Sequence, residues 1–201
     1  MPLIKKRIYA ENWLRSDEQF DQLYPLPIQI LARRHWTPLA VSRKVANFLA
    51  AENNVRILDI GSGVGKFCLA ASYYKPNAFY YGVEQRKSLV NYAETAKEIL
   101  EFENVSFFNG NFTLLDLRNY DHFYFYNSFY ENLVGTDKID DSIDYTNGLY
   151  NYYIRYLYKQ LEQKPVGTRV ATYHSLEDEI PPCYLVVGSE FDNLLKFWIK
   201  V

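Results

Sequence analysis

The 201 residues carry 22 Lys and Arg against 24 Asp and Glu, for a formal net charge of −2, with 48% hydrophobic and 23% charged residues. That balance fits one soluble globular domain with a substantial core, and it excludes a global positive field drawing the chain onto nucleic acid or an anionic membrane. No run approaches the ~18 apolar residues of a membrane helix, and no apolar run follows the basic residues of positions 1–9 as it would in a secretory signal.

Ser16-Asp17-Glu18-Gln19 spells a capping box, so a short helix starts near Asp17, and Pro25 and Pro27 interrupt it. Thr37-Pro38 reads as an N-cap followed by proline at the first helical position. Behind it Val41, Val45, Phe48 and Leu49 recur at helical spacing to about residue 51. From residue 55 strand and helix alternate. Residues 55–60 form a short apolar strand ending in glycines, 64–74 a helix and 78–83 a strand. Residues 88–102 form a helix with Leu89, Tyr92, Ala93, Ala96 and Leu100 on one face. Strands at 105–108 and 122–126 precede a long helix at 142–161 and a strand at 169–173. The chain closes with strands at 184–187 and 194–199, joined by Gly188-Ser189-Glu190-Phe191-Asp192-Asn193.

Alternation of this kind implies a parallel sheet covered on both faces by helices. The last two strands, with no room for a helix between them, must be antiparallel. The fold expected is α/β: a doubly wound sheet of seven strands, mostly parallel, with one antiparallel strand near the C-terminus. Residues 1–36 read as a helical extension to a domain over residues 37–201. Cys68 and Cys183, with no histidine beside either, fit neither a disulfide framework nor a metal site. A cytoplasmic protein with reduced thiols is expected.

Where the first strand turns into its helix the chain reads Asp59-Ile60-Gly61-Ser62-Gly63-Val64-Gly65. Glycines there allow positive φ angles and let backbone N–H groups approach a ligand at the carboxyl ends of the strands. Glu84 follows the second strand, 23 positions after Gly61, where a carboxylate can accept from both hydroxyls of a ribose. Loop and acid in register predict a nucleoside ligand. A phosphate-binding P-loop is excluded by spelling, because Gly61 and Gly65 enclose three residues rather than four and Lys66 is followed by Phe67. The dinucleotide pattern fits poorly, since its third glycine falls on Lys66.

Ile57 through Gly65 resembles the first motif of the class I, S-adenosylmethionine-dependent methyltransferases, and Tyr81-Gly82-Val83-Glu84 resembles the second. The resemblance implies a Rossmann-like fold over residues 37–201 with a reversed final strand, and S-adenosyl-L-methionine as cofactor. It implies that Gly61, Ser62, Gly63 and Gly65 hold the methionine part with Asp59 nearby, that Glu84 holds the ribose, and that Val83 and Gln85 flank the adenine. The third motif departs: Asn109-Gly110-Asn111-Phe112 puts Asn111 where the family often has an acid. Its amide oxygen is able to accept from an exocyclic amine; the alternative is a turn asparagine.

Asn127-Ser128-Phe129-Tyr130, at the carboxyl end of the fourth strand, resembles the Asn/Asp-Pro-Pro-aromatic motif of N-methyltransferases without its prolines. It also resembles the Asn-Asn-Phe segment of the non-SET histone-lysine methyltransferases. An asparagine oxygen and a backbone carbonyl are able to align an amino group for in-line displacement, with Phe129 or Tyr130 stacking on a planar or cationic acceptor. Asn127 and Phe129 are therefore the candidate catalytic residues. The plain alternative for Asn127 is a strand-end cap. His35 and His174 are the histidines nearest the site by position and read as structural. Thr37, ahead of a helix with a positive end, either contacts the cofactor carboxylate or merely caps.

The acceptor expected is a protein side chain or small-molecule amine. A non-catalytic cofactor-binding module is one alternative. A nucleic-acid methyltransferase is another, disfavoured by net charge but raised by a basic cluster of Lys5, Lys6, Arg7, Arg33 and Arg34. Asp137, Asp140, Asp141 and Asp144 form an acidic run that reads as a solvated face; if it borders the pocket it favours a cationic acceptor.

Overall fold

A computed structural model describes residues 10–201; Lys5, Lys6 and Arg7 lie outside the described residues. The Ser16 hydroxyl accepts from the Gln19 N–H and starts α1 (Asp17–Asp21). Pro25 then begins α2 (Leu26–Gln29), and α3 (Ala32–His35) leads to α4 (Leu39–Leu49). There follow β1 (Arg56–Ile60), α5 (Lys66–Tyr74), β2 (Phe79–Glu84), α6 (Lys87–Leu100), β3 (Val105–Asn109) and β4 (His122–Tyr126). The last elements are α7 (Asn147–Glu162), β5 (Arg169–Tyr173), β6 (Tyr184–Glu190) and β7 (Leu195–Lys200).

The seven strands form one sheet in the order β3-β2-β1-β4-β5-β7-β6. Every neighbouring pair from β3 to β5 is parallel, while β7 runs antiparallel to both β5 and β6. The chain reverses direction of winding between β1 and β4, and at such a switch point neighbouring loops diverge and open a crevice. Central strands β1 and β4 are buried almost throughout, as a sheet covered on both faces requires. One apolar cluster lies against α4, α5 and α6, the other against α7. The N-terminal helices share the first cluster, through Phe20, Tyr24 and Trp36. Among the described residues no helix is long and apolar enough to cross a membrane.

Three boundaries differ from the sequence reading, each for a physical reason. Helix α4 starts one residue later than expected: Pro38 is its N-cap and makes no side-chain cap bond. The Asp17 carboxylate does that work by accepting from Leu39 N–H at 3.0 Å. The long helix α7 begins at Asn147, capped by the Thr146 hydroxyl, because residues 140–145 are drawn to another partner described below. The first half of segment 188–193 is strand, because β6 runs on to Glu190. A register shift between Val186 and Gly188 leaves Val187 without a partner, and the turn is residues 191–194, of which Phe191, Asp192 and Asn193 have positive φ.

Glycine is required where α5 leaves the loop. At Gly65 φ is +81°, and a Cβ would sit 2.3 Å from the Phe107 ring and 3.0 Å from Ala93 Cβ. Gly135 has the same φ of +81° with open space around it. Gly65→Ala is expected to lower unfolding stability by about 2–4 kcal/mol, from backbone strain plus overpacking. Gly135→Ala, with strain alone, is expected to cost about 1–2 kcal/mol. Urea unfolding of the two variants measures the difference; equal losses would contradict this packing.

Candidate functional site

Beyond β1 the backbone turns through Gly61 (φ +75°) and Gly63 (φ +54°). A Cβ on Gly61 would stand 2.9 Å from Ser128 Cβ, whereas one on Gly63 would meet nothing within 4 Å. Gly61 thus admits the chain after β4, and Gly63 leaves bare backbone facing the crevice. β2 ends in Glu84, 6% exposed. Its Oε2 accepts from Gly63 N–H at 3.2 Å and its Oε1 from Arg86 N–H at 2.9 Å. Burial raises this carboxyl above the usual carboxylate range, against a lowering by the Arg86 N–H and guanidinium. β4 ends at Tyr126, and Asn127 turns the chain at φ +49°. Asparagine tolerates that left-handed angle better than most residues. Its side-chain oxygen is buried without a hydrogen-bond partner.

These strand ends surround a cavity of about 400 Å³, within the ~300–1,000 Å³ range of small-ligand sites. Of the residues expected from sequence, Gly61, Gly63, Val83, Glu84, Gln85, Asn127, Phe129 and Tyr130 line it. Thr37, Asp59 and Ser62 line a small adjoining pocket of about 10 Å³. Gly65 and Asn111 line neither.

Three side chains are engaged differently from expectation. The Thr37 hydroxyl does not cap α4; it shares a hydrogen bond of 2.9 Å with the buried Tyr124 hydroxyl. The Asn111 amide oxygen accepts from Thr113 N–H and Thr113 Oγ1, capping a 3-10 turn, while its Nδ2 donates to Tyr153 Oη at 2.8 Å. That is the turn-asparagine alternative. Phe129 is 5% exposed and packed, its ring 5.3 Å from Phe112 and 5.6 Å from Tyr153, so it is wall rather than an open stacking platform. Of the histidines, His35 lines the cavity and burial lowers its pKa. His174 instead packs on Tyr173 and Tyr126, with ring separations of 4.4 and 5.5 Å.

Sequence reasoning missed Arg86. It is 5% exposed, with its guanidinium against Glu84 at 3.6 Å, Asp140 at 3.1 Å, Glu131 and the Tyr145 hydroxyl. Arg34 on α3 pairs with Asp137 at the surface. Glu131, Asp140 and Tyr145 thus form a strap that Arg86 draws over the crevice, while Asp137, Asp141 and Asp144 are exposed, as a solvated face would be. A buried arginine two residues past an acid has no sequence signature, because its partners lie 45–59 positions away. Lys66 was also missed: it is buried, paired with Asp17 at 2.7 Å and Asp21 at 2.8 Å, and so ties α1 to the start of α5.

A family model described as a methyltransferase domain matches residues 51–145. Comparison with curated proteins finds no similar sequence. Among solved structures, TrmN from Thermus thermophilus superposes with a TM-score of 0.59 at 18% identity, over 87% of this chain and 52% of TrmN. The chain thus spans about half the length of TrmN. An O-methyltransferase from Thermotoga maritima gives 0.58 at 16% identity, covering 88% of this chain and 72% of that one. An RNA methyltransferase from Salinibacter ruber, in complex with S-adenosyl-L-homocysteine, gives 0.53 at 19% identity, covering 82% and 92%. These likenesses establish the fold.

Two tests follow from the geometry. Burial raises the Asp59 carboxyl from 3.8 to about 8, against a hydrogen bond from the Cys68 thiol. A folded-state pKa above the unfolded one favours the protonated native form. This group's stabilising contribution is complete below about pH 4 and is lost as pH climbs through about 8. Asp59→Asn is expected to flatten the fall in melting temperature between about pH 5 and about pH 9; the same slope in both proteins would contradict the shift. Arg86→Met removes the cation holding the strap, and limited proteolysis should cut residues 131–146 about tenfold faster or more. An unchanged cleavage rate would show that the strap is held otherwise.

Proposed function

We propose that the chain, which matches a methyltransferase-domain model over residues 51–145 and has the fold of solved methyltransferases, uses S-adenosylmethionine to transfer a methyl group to the nitrogen of an amine, on a protein side chain or a small molecule. The observation that carries the nitrogen reading is Asn127, a residue of the cavity wall whose buried side-chain oxygen has no hydrogen-bond partner. A buried acceptor left without a donor costs about 1–3 kcal/mol, and an N–H group placed there removes that cost. The same oxygen then fixes the direction of the nitrogen lone pair, which is catalysis by positioning.

The cavity's residues fit the cofactor. Gly63 presents open backbone, and the Glu84 carboxylate stands at the end of β2 with each oxygen accepting one backbone N–H, so lone pairs remain for two ribose hydroxyls. Gln85 lines the cavity and would flank the adenine. S-adenosylmethionine, when bound, supplies an electrophilic methyl group on a sulfonium. The chain binds and orients: Glu84 on the sugar, the glycine loop on the amino-acid tail with Asp59 close behind, Asn127 on the acceptor, and Phe129 as wall. We take residues 37–201 as the methyltransferase domain and residues 1–36 as its helical extension. The free thiols Cys68 and Cys183 support a cytoplasmic setting.

Calorimetry with S-adenosylmethionine is expected to show one-site binding, weakened about 10–100-fold by Glu84→Gln through loss of hydrogen bonds to a charged group. Asn127→Gly keeps the left-handed turn without strain. It is expected to leave that binding intact while lowering kcat/KM for an amine acceptor about 100-fold. Absence of cofactor binding by the wild type would remove the assignment. Full turnover in Asn127→Gly would remove the nitrogen-positioning role and leave the cofactor reading standing.

A further inference from the structure

A carboxylate taken out of water needs a counter-charge, because an isolated buried charge costs far more than a paired one. Glu84 and Arg86 are both buried, and among the described residues Arg86 is the one ion-pair partner of Glu84. Two contacts join them, and they differ in kind. The Arg86 backbone N–H donates to Glu84 Oε1 at 2.9 Å, while Nη1 of the guanidinium stands 3.6 Å from the same oxygen. The first is a hydrogen bond that fixes the carboxylate. The second is too long for one and acts through charge alone. The hydrogen bonds of the guanidinium go elsewhere: Nε donates to Asp140 Oδ1 at 3.1 Å, and Nη2 donates to Glu131 and the Tyr145 hydroxyl. The strap thus holds a cation beside Glu84 while the carboxylate keeps its remaining lone pairs open.

We infer that Arg86 is a positioning residue for the cofactor, acting through Glu84: it supplies the counter-charge and the N–H that hold the carboxylate ready for the ribose hydroxyls, and Glu131 and Asp140 of the strap hold it in place. The inference rests on the ribose role of Glu84 and extends that role to the strap. A protonated Glu84 has a donor where the anion has an acceptor, so it grips one hydroxyl less. Burial pushes Glu84 toward that neutral form and the charge of Glu131 adds to the push; the Arg86 N–H and guanidinium and the Gly63 N–H oppose it. Asp59 on β1, raised to about 8 by burial, feels the charge of Glu84. His35 on α3, lowered by burial, feels both Glu131 and Arg86. With the guanidinium gone, the Glu84 carboxyl rises further. Because the anion is the form that binds, affinity is complete above the Glu84 pKa and is lost as pH falls through it. The loss then begins at a higher pH than in the wild type.

The test is calorimetry of the full chain with S-adenosylhomocysteine between about pH 5.5 and about pH 8.5. Arg86→Met is expected to bind more weakly than the wild type, and its deficit to grow about tenfold as pH falls across that range. Titration of Asp59 is common to both proteins and cancels in the comparison. In a Glu84→Gln background, Arg86→Met is expected to change affinity by less than about twofold at any pH, because the group it acts through is already neutral. A contribution routed through His35 would survive in that background. A deficit of the same size at every pH marks a merely structural role and overturns the inference, as does an undiminished deficit in the Glu84→Gln chain. If Arg86→Met does not fold, Arg86→Gln, which keeps a polar side chain for the strap acids, is judged by the same two criteria. Failure of the wild type to bind S-adenosylhomocysteine would sink the cofactor reading, whereas wild-type binding with a flat deficit sinks this inference alone.

Discussion

The turn after β1 and the turn after β4 are locked together. Ser128 fills the space where Gly61 would carry a Cβ, at 2.9 Å, and its hydroxyl donates to the carbonyl of Ile60 at the end of β1. Parallel neighbours in a sheet ordinarily end in loops that part to opposite faces at a switch point. Here the contact holds the two turns in register, so that Gly63 and Asn127 border one cavity. Any larger residue at position 61 would push the β4 turn outward and carry the Asn127 oxygen with it. The placement of the site thus depends on one missing side chain.

Around that lock the protein has set two buried cations. Lys66, at the first turn of α5, binds Asp17 and Asp21 and lies 5.2 Å from the Phe20 ring and 5.5 Å from the Trp36 ring. Asp17 also caps α4, and the Tyr24 hydroxyl donates to Val64 O within the glycine loop. The N-terminal helices therefore brace the loop from behind. Arg86 does the corresponding work in front, joining Glu84 to the strap through Glu131, Asp140 and Tyr145. Buried ion pairs of this kind add little net stability but are costly to break singly. Their contribution is geometric: they hold chain segments far apart in sequence against one crevice.

Much of this was legible in the sequence because it is written locally. Hydrophobic runs and their periods placed the seven strands to within a few residues, and the want of room between the last two dictated their reversal. The Gly61–Gly65 loop and Glu84 were legible because backbone conformation and ligand chemistry restrict residue type at fixed spacing. What escaped was set by distant partners. Thr37 spells a cap, yet Asp17 from another helix takes that role and frees the hydroxyl for Tyr124. Residues 142–146 pass for helix, but Arg86 holds Tyr145 and delays the start of α7 to Asn147. The acidic run spells a solvated face, and Asp137, Asp141 and Asp144 are exposed, but Asp140 is drawn onto the buried Arg86.

The account stands on a nucleoside thioether lying between the bare backbone of Gly63 and the carboxylate of Glu84, with its sulfur turned toward Asn127. A crystal structure grown with S-adenosyl-L-homocysteine tests that arrangement directly. The account predicts both ribose hydroxyls within hydrogen-bonding distance of Glu84, the amino-acid tail over the glycine loop, and an open path from sulfur to the Asn127 oxygen. A ligand bound elsewhere, or a ribose turned away from Glu84, would contradict it.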